Sequence, residues 1–230
     1  MKTLGLIGGM SWESTALYYR MLNEGIRERK GGLHSAPLII WSFDFSEIEN
    51  LQARGDWKEA THQLVDVALR LETAGAEALL ICTNTMHKMA DDIARAVSIP
   101  LIHIADTTAT EIKRTNCKNP ILLATAYTME EVFYKGHLQN THDIKVIVPD
   151  ASGRSQVHHI IYEELCQGII KPGSKKIYLD IIEGLKDFGA DSVIFGCTEV
   201  GLLLSQKDLS LPVFDTTELH VAAAIDFSTS

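Results

Sequence analysis

Apolar residues along this chain follow two rhythms. Eight short runs are nearly continuous: "TLGLIG" (3–8), "PLIIWSF" (37–43), "EALLIC" (77–82), "PLIHI" (100–104), "PILLAT" (120–125), "IKVIVP" (144–149), "DSVIFG" (191–196) and "LPVFD" (211–215). They read as strands buried on both faces. Between them, the stretches 13–29, 56–74, 153–168 and 174–188 place apolar residues three and four apart, the helical period. Unbroken strands alternating with helices predict parallel sheets covered on both sides, an α/β fold. "RKGGLHSAP" and "ENLQARGDW" read as loops, and no long linker or low-complexity tract interrupts the pattern.

The pattern repeats internally. "LETAGAEALLICTNT" (71–85) aligns without gaps on "LKDFGADSVIFGCTE" (185–199), matching Leu71 to Leu185, Gly75 to Gly189, Ala76 to Ala190 and Glu77 to Asp191. "SIPLIHIADTT" (98–108) resembles "SLPVFDTTE" (210–218), and "GLIGGMSWESTALYY" (5–19) weakly resembles "LLATAYTMEEVFYKG" (122–136). Two copies imply two similar α/β domains of roughly 100 residues each. The boundaries are drawn at 1–112 plus 209–230 for the first domain and 113–208 for the second. In this register Cys197 falls opposite Thr83, and Cys82 falls opposite Gly196. Successive strand residues point to opposite faces, so Cys82 is expected to point away from the side that Thr83 faces.

Composition narrows the classes. The chain has 230 residues, 46% hydrophobic, with a net charge of −9. That balance argues against a nucleic-acid binder. No segment approaches the roughly 18 apolar residues of a membrane helix. "MKTLGLIGG" runs straight into a strand, so a cleaved signal peptide is not expected and the cytoplasm is the expected compartment. Cys82, Cys117, Cys166 and Cys197 are scattered with no CxxC pair, which fits reduced thiols better than a disulfide frame or zinc site.

Two polar positions at the C-terminal ends of equivalent strands suit a reaction with two opposed faces, such as removing a proton from one side of a carbon and returning one to the other. Ligands in open α/β sheets bind outside the strands' carboxyl ends. A thiol can serve as the base, and free amides at a helix start would favour its anion. "CTEV" (197–200) reads as such a start, with Thr198 as the capping hydroxyl. A small buried hydrophobe is the alternative reading of Cys197. Asn84, Thr85 and Thr198 flank the two positions and could hold a carboxylate, or act only as turn and cap residues. Gly8-Gly9-Met10 ends the first strand ahead of a helix start at Ser11 or Ser14 and could offer amides to an anion. It lacks the phosphate-loop glycine and lysine pattern of a nucleotide site. "TAYTM" is its counterpart, with Thr125 and Thr128 as candidate ligands. His87 could tune protonation or serve in a cap or the core. His158 and His159 have no third ligand at metal spacing and read as structural.

"CTNTMH" paired with "FGCTEVG", after "GLIGGMSWEST" and a central "TAYTM", resembles the aspartate/glutamate racemase family across essentially the whole chain, with closest similarity to its enterobacterial broad-specificity branch. That resemblance implies two pseudo-symmetric domains with the active site in the cleft between them. It implies no pyridoxal phosphate and no metal, and a homodimer. It also implies a two-base mechanism with one cysteine per domain. Carried over, the second cysteine is Cys197. The first would precede Asn84-Thr85, and that position holds Thr83. By the same resemblance Met10 lines the pocket, Gln52 meets the substrate from a loop, and Glu164 meets the ammonium group; read alone, Gln52 and Glu164 are surface residues. Apart from the resemblance, Arg54 could anchor a side-chain carboxylate or be a surface charge.

The departure at Thr83 matters. An alkanol is about seven pKa units weaker an acid than a thiol, worth roughly 10 kcal/mol if the whole difference entered the barrier. The expected assignment is that Cys197 deprotonates the L form and Thr83 protonates the opposite face. The expected substrates are aspartate and glutamate. Two rivals stand beside this: a single-cysteine decarboxylase that protonates an enolate from one side, and a degenerate amino-acid-binding protein.

Overall fold

A computed structural model describes residues 1–230. The elements run β1 (Leu4–Gly8), α1 (Trp12–Lys30), β2 (Leu38–Ser42), α2 (Phe45–Ala53), α3 (Trp57–Thr73), β3 (Ala78–Ile81), α4 (Ala90–Ala96), α5 (Ile104–Arg114), β4 (Pro120–Leu123), α6 (Ala126–Glu130), α7 (Val132–His142), α8 (Ala151–Glu163), α9 (Pro172–Lys186), β5 (Ser192–Phe195), α10 (Val200–Leu203), β6 (Val213–Asp215) and α11 (Thr216–Thr229). Short 3₁₀ turns cover Thr85–Met89, Leu165–Gln167 and Gln206–Asp208.

The chain divides into two compact units. Unit 1 holds Met1–His103 and His220–Ser230; unit 2 holds Ile104–Leu219. The boundaries drawn from sequence at 112 and 209 therefore differ from the observed ones. The reason lies in packing: Ile104, Ala105, Ala109 and Ile112 of α5 are buried in one cluster with Leu138, Tyr178 and Phe195. At the other end, Val221, Ala224 and Ile225 of α11 are buried with Tyr18, Leu22 and Ile26 of α1.

Unit 1 is a parallel sheet ordered β2-β1-β3. Its two faces are distinct. Ile7, Leu79 and Ile81 pack with Leu64, Val67 and Leu71 of α3. Leu4, Leu6, Ala78, Leu80 and Cys82 pack toward α1 and α11. Alternating strand residues thus feed opposite cores. Local chemistry sets the helix starts. Ser11 caps α1 by accepting from the Ser14 amide at 3.3 Å, and Asp56 caps α3 by accepting from Glu59 at 3.2 Å.

Unit 2 is a parallel sheet ordered β4-β5-β6 over a single large cluster. Two runs expected as strands, 100–104 and 144–149, are each reduced to one parallel bridge, Leu79 with Leu101 and Ile121 with Ile147. Counting those bridges, each unit presents four parallel segments in one order: β2, β1, β3 and the Leu101 segment; the Ile147 segment, β4, β5 and β6. The pairings coincide. Leu79 faces Leu101 as Val193 faces Val213, which is the alignment of 98–108 on 210–218. The weaker alignment of 5–19 on 122–136 is displaced by one residue, because Gly5 pairs with Leu79 as Ile121 pairs with Val193.

Candidate active site

In unit 1, β1 delivers the chain into a tight turn. Gly9 has φ of +84°, and a Cβ there would sit 2.2 Å from the Phe43 backbone nitrogen, so only glycine fits. The Gly9 amide donates to Thr15 Oγ1 at 2.8 Å. It is therefore used inside the protein and is not offered to an anion, as the sequence had suggested. Met10 is buried in the α3-side core. The Ser14 hydroxyl donates to the Cys82 carbonyl at 2.8 Å, tying α1 to the end of β3.

Past β3, the Cys82 amide donates to the Ile7 carbonyl at 2.9 Å and its side chain is fully buried. Burial pushes that thiol far above its ordinary range. Thr83 follows and keeps part of its surface accessible. Asn84 and Thr85 are buried and lead into the 3₁₀ turn. His87 Nδ1 lies 2.8 Å from the Thr83 carbonyl. A carbonyl only accepts, so the ring carries its hydrogen on Nδ1 in this bond. His87 also meets His103 and His220 edge to face, at 4.8 and 5.8 Å between ring centroids. The His220 ring donates from Nε2 to the Ile102 carbonyl at 2.7 Å and accepts from the Tyr18 hydroxyl on Nδ1 at 2.8 Å. Burial lowers its pKa to about 4, so it is a neutral fixture.

Gln52 corrects an expectation. It stands in α2, not in a loop, and is 4% exposed. Its Nε2 lies 3.1 Å from Met86 Sδ, which sets it beside the turn that follows Thr83. The helix escaped notice because "FSEIENLQA" buries only Ile48, Leu51 and Gln52, a stripe too short to show a period. Arg54 caps the C-terminus of α2, exposed, with Nε donating to the Asn50 carbonyl at 3.2 Å.

In unit 2, the Gly196 amide donates to the Leu123 carbonyl at 2.8 Å, the counterpart of the Cys82 bond to Ile7. A Cβ at Gly196 would come within 2.7 Å of Leu122 Cδ1 and 2.9 Å of the Ala124 Cβ. Cys197 comes next, as Thr83 does in unit 1. Its sulfur is densely surrounded while the residue keeps some accessible surface. Its Sγ donates to Glu199 Oε2 at 2.9 Å, and the Thr198 hydroxyl donates to the same oxygen at 2.5 Å. Burial first, then the Glu199 carboxylate and neighbouring Cys166, push the Cys197 thiol well above its usual range.

These surroundings favour the protonated thiol, the opposite direction to the thiolate expected from sequence. The helix that was to favour the anion, α10, is a single turn whose N-cap is Glu199, and Thr198 caps nothing. Glu199 is the residue that sequence reasoning passed over. Its signal was the acid two places after the cysteine in "GCTE".

Thr125 caps α6, accepting from the Thr128 amide at 3.4 Å, and the two hydroxyls lie 3.2 Å apart; both residues are buried. His158 Nδ1 accepts from the Ala126 amide at 3.2 Å, and burial lowers its pKa, which fits the structural role expected of it. Glu164 ends α8, buried, with its carboxylate taken by Ser174 Oγ at 2.5 Å and Lys171 Nζ at 3.1 Å. These bonds hold it below the usual carboxylate range.

Two units of parallel α/β structure, each ending an equivalent strand, β3 or β5, in a polar turn, define a duplicated α/β fold. The chain belongs to the Asp/Glu/hydantoin racemase family, whose model matches residues 7–224. It is an isomerase of the racemase class. It is similar in structure to a candidate Asp/Glu racemase from Yersinia pestis, at 53% identity and TM-score 0.94 with both chains fully covered. An aspartate racemase homologue from Pyrococcus horikoshii OT3 matches at 35% identity and TM-score 0.87, again over all of both chains. In sequence it is 23% identical to the broad specificity amino-acid racemase RacX of Bacillus subtilis, over 70% of this chain and 69% of that one. No helix is long and apolar enough to cross a membrane.

Proposed function

We propose that this chain interconverts the L and D forms of aspartate and glutamate by proton transfer at Cα. Cys197 removes the proton from the L form, and Thr83 supplies one to the opposite face. The reading rests on one observation: Thr83 and Cys197 follow equivalent backbone anchors, the Cys82 and Gly196 amides, at the ends of equivalent strands. Each unit then contributes one proton-transfer group to the same carbon. The Cys197 hydrogen bond to Glu199 supplies a route to the active form. The thiol proton passes to the carboxylate, the thiolate takes the Cα proton, and the Thr83 hydroxyl delivers its own proton; water reprotonates Thr83, and Glu199 returns its proton to the hydroxide left behind. Asn84, Thr85 and Thr198 are the proposed carboxylate ligands, with Met10, Gln52, Thr125, Thr128 and Glu164 completing the pocket.

Chiral chromatography after incubation with L-glutamate or L-aspartate tests the reaction. The D enantiomer is expected; a decarboxylated product or unchanged substrate would favour the rival readings. Cys197→Ala is expected to cut turnover by about a hundredfold or more, and full activity in that variant would remove the assigned base.

Free L and D forms have equal energy, so a poor base at Thr83 must slow both directions alike. Its signature is in isotope exchange. In D2O the recovered L-glutamate should gain deuterium at Cα faster than D-glutamate forms, read by mass spectrometry. Racemisation without excess deuterium in the L pool would contradict the assignment.

A further inference from the structure

Unit 2 carries a cluster that the proposed reaction does not use. Asp106 stands in the first turn of α5; His137 and His142 stand on α7. The Nε2 of His137 lies 2.5 Å from Asp106 Oδ1, and the Nε2 of His142 lies 2.6 Å from the same oxygen. Two imidazoles on one helix, α7, therefore aim their outer nitrogens at one carboxylate oxygen of the neighbouring α5. The side chains are 25%, 17% and 47% exposed for His137, His142 and Asp106. The cluster is walled on the histidine side and open to solvent at the carboxylate.

We propose that Asp106, His137 and His142 form a binding site for a divalent transition metal of the zinc type. The donor set is the first argument. Two imidazole nitrogens and one carboxylate oxygen are ligands that zinc and its first-row neighbours take, and magnesium and calcium take oxygen instead. Convergence is the second. Zinc bonds of about 2.0–2.2 Å at tetrahedral angles set donor atoms roughly 3.3 Å apart. The two contacts to Asp106 need open by less than about 1 Å, and the His137 and His142 rings, 5.7 Å apart between centroids, must turn their Nε2 atoms to the same spacing. Access is the third. The exposed side of Asp106 leaves a coordination position for water, the arrangement of an open three-ligand site.

Proton accounting is simple. Without metal, both rings donate to the carboxylate and so carry hydrogen on Nε2. Binding places the metal on Nε2; a neutral ring must move its one hydrogen from Nε2 to Nδ1 by exchange with solvent, and a doubly protonated ring releases the Nε2 proton and keeps the Nδ1 one. No oxidation or reduction is involved. The sequence concealed this cluster because its members lie at 106, 137 and 142, and no spacing rule joins a helix in one segment to a helix thirty residues on.

The test uses the untagged full chain and Co2+ as a visible probe. One ion per chain is expected, with d–d absorption of a nitrogen and oxygen environment and no thiolate charge-transfer band. Asp106→Asn and His142→Asn should each weaken binding about tenfold or more. Cu2+ on the unmodified chain gives a reading that no variant can spoil: its EPR spectrum should show splitting from two imidazole nitrogens. Absence of saturable Co2+ uptake, a thiolate-dominated spectrum, EPR splitting from fewer than two nitrogens, or unaltered binding in both variants would overturn the proposal.

Discussion

At Cys197 two demands oppose each other. The proposed base must shed its proton, yet burial and the Glu199 carboxylate both hold the proton on sulfur. The same carboxylate is the nearest acceptor, 2.9 Å away. Glu199→Gln separates these effects because glutamine keeps the shape and loses the charge. The thiol pKa should fall, so the pH profile of iodoacetamide alkylation at Cys197 should move to lower pH. Turnover should nevertheless drop by about tenfold or more, since the proton acceptor is gone. An alkylation profile that stays in place would mean that Glu199 does not govern the sulfur. The residue scale also shows the limit of reading motifs. "GCTE" offered a cysteine and an acid together, but only the geometry reveals that Cys197 and Thr198 share one carboxylate oxygen.

At the scale of elements, the turn after β1 tests how tightly the first unit is specified. Gly9→Ala would force a side chain into positive φ and against the Phe43 backbone. A loss of about 3 kcal/mol is expected from strain and overpacking, measured as a lower urea midpoint. A change within about 0.5 kcal/mol would show that the turn relaxes freely. What made elements legible was burial. β1, β3, β4 and β5 are buried at every residue, and their apolar runs announced them. α1 and α3 announced themselves by long amphipathic stripes. The segments at 101 and 147 are apolar too, but each makes a single bridge, because strand length is decided by pairing partners that sequence does not display. The two positions proposed for proton transfer were singled out for a different reason: duplication gave Thr83 and Cys197 a common frame. The partners of Gln52 and Glu164 were not, because each is set by contacts between separate helices and turns.

Over the whole molecule, stability against pH is set in part by two buried groups whose effects run in opposite directions. His220, in unit 1, has its pKa lowered by burial to about 4. The unfolded chain binds that proton near pH 6.5, so stability falls as pH drops from about 6.5 toward 4. Asp215, in unit 2, has its pKa raised by burial to about 6. There the folded state holds the proton longer, so stability falls as pH rises from about 4 toward 6. Each dependence is of the order of 3 kcal/mol. In a single unfolding transition they largely cancel, and the wild-type urea midpoint should change little between pH 4 and 6 on their account. Asp215→Asn removes one side of the balance. Asparagine retains the oxygen that accepts from the Thr217 and Glu218 amides, at 2.8 and 3.2 Å, so the start of α11 should survive. The variant's midpoint should then climb steadily with pH across this window. At pH 7 it should match or exceed wild type, because a buried carboxylate no longer has to ionise. A variant profile that overlies the wild-type one would show that Asp215 is solvated in the folded chain, and the opposition between the two groups would be wrong.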